Sequence, residues 1–144
     1  MSFRMEKAAR KDIDALCVLM TDLAGREISS EDMEDRLDMI EKSQIDRLFV
    51  CTEGSLVVGL LGFRIRENPE EVSRFGEISA IDVLPEYRKR GVGRFMMEYA
   101  NQQARKLGCK GMWLVSDFGL EEEAHQFYQR LGYQTNGYRF VMLF

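Results

Sequence analysis

The stretch from Ile81 to Arg94, Ile-Asp-Val-Leu-Pro-Glu-Tyr-Arg-Lys-Arg-Gly-Val-Gly-Arg, constrains this chain more than any other. A β-branched run stops at Pro85. A short basic turn follows, two glycines spaced Gly-x-Gly close it, and an amphipathic helix begins. Strand, tight loop and helix N-terminus in that order build an anion cradle. Glycines let the backbone approach a ligand, and the unpaired N–H groups of the first helical turn point at it. Arg88, Lys89, Arg90 and Arg94 add positive charge at the same place. The expected ligand is a phosphorylated small molecule. No Gly-Lys-Ser/Thr follows, so this is not a Walker loop, and the third glycine of a dinucleotide fingerprint is missing.

Bulk properties narrow the class. A chain of 144 residues predicts one domain over 1–144 with a substantial core. The formal net charge of −4 argues against a general nucleic-acid binder, and the positive charge is local. No apolar run approaches the length of a membrane span, and Met1-Ser2-Phe3-Arg4 lacks the apolar region of a signal peptide. Cys17, Cys51 and Cys109 lack Cys-x-x-Cys spacing and read as reduced thiols of a cytoplasmic protein. One histidine, His125, and no clustered cysteines leave no expected metal site.

Hydrophobic spacing orders the elements. Residues 2–8 suit an edge strand. Ile13, Leu16, Cys17, Met20, Leu23 and Ala24 mark a helix that Gly25 ends. Ser29 or Ser30 caps a second helix bearing Met33, Leu37 and Ile40. Leu48–Cys51 and Leu56–Leu61 form a hairpin turned at Glu53-Gly54, with the second strand extending through Phe63 and Ile65. A polar loop covers 67–74, and a strand covers Phe75–Val83. On regular alternation, Phe75, Glu77, Ser79, Ile81 and Val83 share one face of that strand. A helix from Val92 closed by Gly108, a strand at Met112–Val115, a helix ending at Gly132, and two closing strands at Tyr133 and at Arg139–Phe144 complete the chain. The order is β-α-α-β-β-β-α-β-α-β-β, a mixed α/β fold around a splayed mixed sheet.

Two motifs carry a family resemblance. Arg88-x-x-Gly91-x-Gly93 after a strand resembles the pyrophosphate-binding motif of the Gcn5-related N-acetyltransferases (GNAT). Ala124, Phe127, Tyr128, Gly132 and Tyr133 match that family's Asn-x-x-Ala-x-x-Phe/Leu-Tyr-x-x-x-Gly-Phe/Tyr pattern. Glu121 stands where the family has asparagine, a pantetheine contact, so Asp117 or a backbone group takes that part. The element order resembles the GNAT fold over essentially the whole chain. Gly76-Glu77-Ile78 and Tyr138-Arg139-Phe140 look most like the aminoalkylphosphonate and aminoglycoside N-acetyltransferase branches.

The resemblance implies direct transfer of acetyl from acetyl-CoA to the primary amine of a small molecule. It implies a cofactor site from Ile81, Asp82, Val83, Arg88, Lys89, Arg90, Gly91, Val92, Gly93, Arg94, Asp117, Ala124 and Phe127. In it the 81–83 strand offers backbone groups to pantetheine and an N–H to the thioester oxygen. Tyr128 is the candidate general acid, since a phenol is protonated at neutral pH and can donate to a departing thiolate. Glu77 is the candidate general base, directly or through water. Outside the resemblance, Tyr128 also reads as a core aromatic, Glu77 as a solvent-facing carboxylate, and His125 as a solvated side chain. Apolar Val141, Met142 and Leu143 make strand-mediated homodimerisation an expectation. A protein acetyltransferase and a non-catalytic acyl-CoA-binding module are the competing functions on this fold.

Overall fold

A computed structural model describes residues 2–116 and 121–144, with the side chain of Glu121 excepted. The elements are β1 (Phe3–Lys7), α1 (Ile13–Ala24), α2 (Ser30–Lys42), β2 (Asp46–Glu53), β3 (Leu56–Asn68), β4 (Ser73–Val83), α3 (Val92–Lys106), β5 (Gly111–Leu114) and α4 (Glu121–Arg130). Short 3-10 turns precede α1 and α3, at Arg10–Asp12 and Pro85–Tyr87. Helix boundaries fall where local chemistry puts them. Gly25 ends α1 in the left-handed conformation, at φ +71°. Ser29 caps α2, its hydroxyl oxygen accepting the Asp32 N–H.

The sheet is open and mixed, in the order β1-β2-β3-β4-β5, antiparallel except for β4 and β5. Helices cover both faces. Leu16, Leu19, Met33 and Leu37 of α1 and α2 bury Leu48, Val50, Val57 and Leu60 on one face. Val92, Met96, Met97, Ala100 and Ala104 of α3 bury Phe49, Cys51, Val58, Leu61, Phe63 and Ile78 on the other. Phe127, Tyr128 and Leu131 of α4 pack on that second face. Burying such side chains contributes roughly 1.5–3 kcal/mol each.

The expected 67–74 loop shrinks to 69–72, because Glu67 and Asn68 extend β3 and pair with Arg74 and Ser73 of β4, and two further features depart from the sequence reading. First, β4 carries a bulge. Gly62 pairs with Ala80 and Phe63 with Ile78, so Ser79 is an extra residue in the ladder. The alternation therefore reverses at Ser79. Ile81 and Val83 face α3 with Ile78, whereas Ala80 and Leu84 pack among the α1 and α2 core. Glu77, opposite Arg64, and Asp82, opposite Leu60, lie on the α1–α2 face. The expected common face of Glu77, Ile81 and Val83 is thus corrected. Second, the two closing strands do not form: residues 133–144 carry no regular structure, and β5 ends the sheet among the described residues.

Candidate active site

The parallel strands β4 and β5 come apart at their C-terminal ends. Pairing runs from Phe75 with Gly111 to Ile78 with Leu114 and stops there. Beyond the bulge, the β5-facing edge of Ala80–Val83 meets no strand among the described residues. Backbone groups at the C-terminal end of a parallel strand are where such sheets receive ligands. Ile81, Asp82 and Val83, predicted to offer backbone to a cofactor, lie on this open stretch.

The chain then turns sharply into α3. Lys89 sits at φ +61°, a conformation a side chain enters at a cost, and Gly91 at φ +87° precedes the helix. The first-turn N–H groups of α3, those of Val92, Gly93 and Arg94, have no acceptor within the helix. Lys89, Arg90 and Arg94 are exposed around them. The Arg90 guanidinium lies 4.4 Å over the Tyr87 ring, and Arg94 Nε stands 3.4 Å from Glu98. A helix N-terminus with bare amides, entered through a left-handed glycine and ringed by cations, fits a pyrophosphate.

Arg88 points elsewhere. Its Nη2 is 2.6 Å from Asp22 Oδ2 on α1 and 3.5 Å from Asp82 Oδ1, and its Nε donates to the Val83 carbonyl at 3.1 Å. Asp82 Oδ2 is buried without a hydrogen-bond partner. Burial, then the hydrogen bond and charge of Asp22, push the Asp82 carboxyl up to about 7, against the opposing pull of Arg88. A carboxyl that titrates near neutrality at the open end of β4 was not legible as such in the sequence, where Asp82 enters only through its backbone. Its partner Asp22 lies 66 residues before Arg88 in the chain.

Glu77 is largely buried, its side chain 14% exposed, and Arg66 Nε stands 3.3 Å from its Oε1. The pair lacks hydrogen-bond geometry, since Oε1 has no hydrogen-bond partner. Arg66 also lies 5.0 Å over the ring of Trp113, the residue opposite Glu77 on β5. Glu77 thus sits in a charge-and-aromatic patch on the α1–α2 face, one pair before β4 and β5 come apart.

The second motif meets the first. Phe127 of α4 packs so closely on the first turn of α3 that a Cβ on Gly93 would stand 3.3 Å from its ring. A side chain at 93 would therefore push on the Phe127 ring by a few tenths of an ångström. The next residue, Tyr128, stacks edge-on with Phe127 at 5.2 Å and with Tyr133 at 6.0 Å. Burial raises the Tyr128 phenol above its ordinary value, and burial with Tyr128 beside it pushes Tyr133 to about 12. Tyr128 therefore keeps its phenolic proton at neutral pH. Ala124 is half-buried on the same helix, while His125 is exposed. Asp117, a sequence candidate for the cofactor, lies outside the described residues.

Comparison with known proteins agrees with this geometry. Residues 13–133 match the Acetyltransferase (GNAT) family. The aminoalkylphosphonate N-acetyltransferase of Salmonella typhimurium is 25% identical over 139 residues, covering 95% of this chain and 88% of that protein. A GNAT family acetyltransferase from Staphylococcus aureus superposes with a TM-score of 0.84 at 24% identity over all of both chains. The AAC(6')-Iy structure bound to the bisubstrate analogue CoA-S-monomethyl-acetylneamine superposes at 0.84 with 16% identity, over 99% of this chain and 98% of that one. Acetyltransferases of this family use acetyl-CoA. With a family match across most of its length and a fold that carries both motifs to one slot, this chain belongs to the GNAT family of acetyltransferases.

Proposed function

We propose that the chain is an acetyl-CoA-dependent N-acetyltransferase acting on the primary amine of a small molecule, in the cytoplasm and as a homodimer. One observation carries the reading. Phe127 packs on the first turn of α3 at Gly93, which brings the helix bearing Tyr128 beside the anion cradle and supports an acid and a pyrophosphate site working together. Such a link is required if a long cofactor is to be held at one end and worked on at the other.

Bound in the slot, the cofactor supplies a thioester that an amine can attack. The amides of Val92, Gly93 and Arg94, with Lys89, hold its phosphates. The unpaired edge of Ile81–Val83 takes the pantetheine arm and gives an N–H to the thioester oxygen, stabilising charge as it develops there. The acceptor enters as an ammonium and must lose a proton before its nitrogen forms the new C–N bond. Glu77 is the proposed base. Asp82 is a second reading, favoured by a carboxyl that titrates near neutrality on the same face of β4. As the C–S bond breaks, Tyr128 gives its phenolic proton to the departing sulfur.

The relatives' names motivate the acceptor class, aminoalkylphosphonate and aminoglycoside amines. The test measures thiol released from acetyl-CoA with aminoalkylphosphonates, aminoglycosides, polyamines, amino acids and short peptides. Release with a small-amine class alone supports the proposal. Release with peptides alone makes the chain a protein acetyltransferase. Thermal stabilisation by acetyl-CoA with no release on any acceptor makes it a binding module.

A further inference from the structure

Between the end of β4 and the first turn of α3 the chain turns with two short-range backbone bonds. The Tyr87 N–H reaches the Leu84 carbonyl at 2.9 Å, and the Arg88 N–H reaches the Pro85 carbonyl at 3.3 Å. The next residue, Lys89, stands at φ +61°. A lysine there is strained, and such a conformation persists only where its neighbours over-determine it. Gly91 follows in the left-handed region, and the cradle amides begin at Val92. The side chain that fixes the near side of Lys89 is that of Arg88.

Arg88 is held from two directions. Its Nε donates to the Val83 carbonyl at 3.1 Å, which closes the turn back onto the end of β4. Its Nη2 meets Asp22 Oδ2 of α1 at 2.6 Å and stands 3.5 Å from Asp82 Oδ1. A planar guanidinium tied at Nε and at Nη2 keeps one orientation. The Val83 bond alone would leave the outer end of a half-exposed side chain loose. Asp22, in the last turn of α1, supplies the second fixed point. The same two carboxylates meet the charge of Arg88, which leaves its guanidinium poorly placed to hold a phosphate. Lys89, Arg90 and Arg94 are the cations exposed around the cradle.

We propose that Asp22 is a positioning residue for acetyl-CoA binding: acting through Arg88, it sets both the turn that presents the cradle amides and the end of β4 that runs along the slot. The inference rests on the reading of the cradle as the cofactor site and does not depend on which amine is the acceptor. It carries a sign opposite to that of simple charge. Asp22 is a carboxylate near a site for a polyanion, and it occupies a guanidinium that the polyanion would otherwise attract. On charge alone, its removal tightens CoA binding. Through Arg88, its removal loosens the turn and weakens CoA binding. The coupling is reciprocal, so what α1 gives to the cofactor site the bound cofactor returns to α1.

Calorimetry with CoA on the parent chain, Asp22→Ala, Arg88→Ala and the double variant separates the two signs and needs no turnover. Asp22→Ala should raise the Kd for CoA roughly 3- to 10-fold, and Arg88→Ala by a similar factor. The double variant should be no weaker than the weaker single one, because the two side chains act as a unit. Asp22 is 37% exposed, so these variants should fold. Asp22→Asn, which keeps the shape of the side chain, should also weaken binding. Hydrogen exchange gives a second readout: CoA should slow exchange of the α1 amides in the parent chain and leave it unchanged in Arg88→Ala. Tighter or unchanged binding in Asp22→Ala overturns the proposal, as do single effects that add in the double variant, or α1 amides that ignore CoA in the parent chain. A parent chain without affinity for CoA overturns the cradle reading together with this inference. A parent chain that binds CoA no better than the variants overturns this inference alone.

Discussion

At the scale of single residues, protons decide the chemistry. Tyr128 keeps its proton at neutral pH because burial penalises the phenolate. Tyr128→Phe should lower kcat by about 10²–10⁴-fold while thermal stability and the Kd for acetyl-CoA stay close to those of the parent chain. An unchanged kcat would remove Tyr128 from the acid role. Asp82 makes a second prediction with a definite sign. Its carboxyl rises from 3.8 to about 7 on folding, so the folded state binds more protons between those values. Stability is fully present below pH 3.8 and is lost as pH rises through 7. Asp82→Asn should therefore raise Tm at pH 8.5 by a few degrees, at about 2–4 °C per kcal/mol relieved for a domain of this size, and leave it little changed near pH 4. If Asp82 is the base, the same variant abolishes the acid limb of the rate profile; if Glu77 is, Glu77→Gln does so. Tyr128 and the cradle glycines were legible because they sit in short motifs. The Asp22–Arg88–Asp82 network was not, because only the fold brings α1 to the end of β4.

At the scale of elements, the sequence marked what local chemistry marks. The serine cap of α2, the glycine that ends α1 and the hairpin between β2 and β3 all fall where they were expected. The Ser79 bulge was hidden, because a bulge is a relation between two strands and Ser79 has no turn signal of its own. One extra residue moves Glu77 onto the face of Asp82. The α3–α4 joint is the other element-level device. Gly93→Ala adds a methyl 3.3 Å from Phe127. The helix itself gains from alanine, by up to about 1 kcal/mol, so the cost falls on the joint. Displacing Phe127 should weaken acetyl-CoA binding by roughly 1–2 kcal/mol, about 10-fold, with helix content unchanged by circular dichroism. Full affinity would show that α4 adjusts without disturbing the cradle.

At the scale of the whole molecule, charge and cover are unevenly spread. The chain is negative overall, at −4, while the cradle is locally basic. An anionic cofactor is drawn in only at short range. Raising salt from about 0.1 M to about 1 M cuts the screening length from about 10 Å to about 3 Å. Over that range the Kd for CoA should rise several-fold by calorimetry; a flat response would mean that amides, not cations, carry phosphate binding. No helix among the described residues is long and apolar enough to cross a membrane. The apolar segment 138–144 is thus the feature that composition alone least explained. Its strand-like pattern was legible, yet residues 133–144 carry no regular structure and no strand pairs with them among the described residues.

The order of the strands in space is their order along the chain. During synthesis, each ladder therefore closes as soon as its second strand leaves the ribosome, and no early strand waits for a late one to be inserted beside it. Folding can therefore follow synthesis from β1 to β5, with each new strand finding its neighbour already in place.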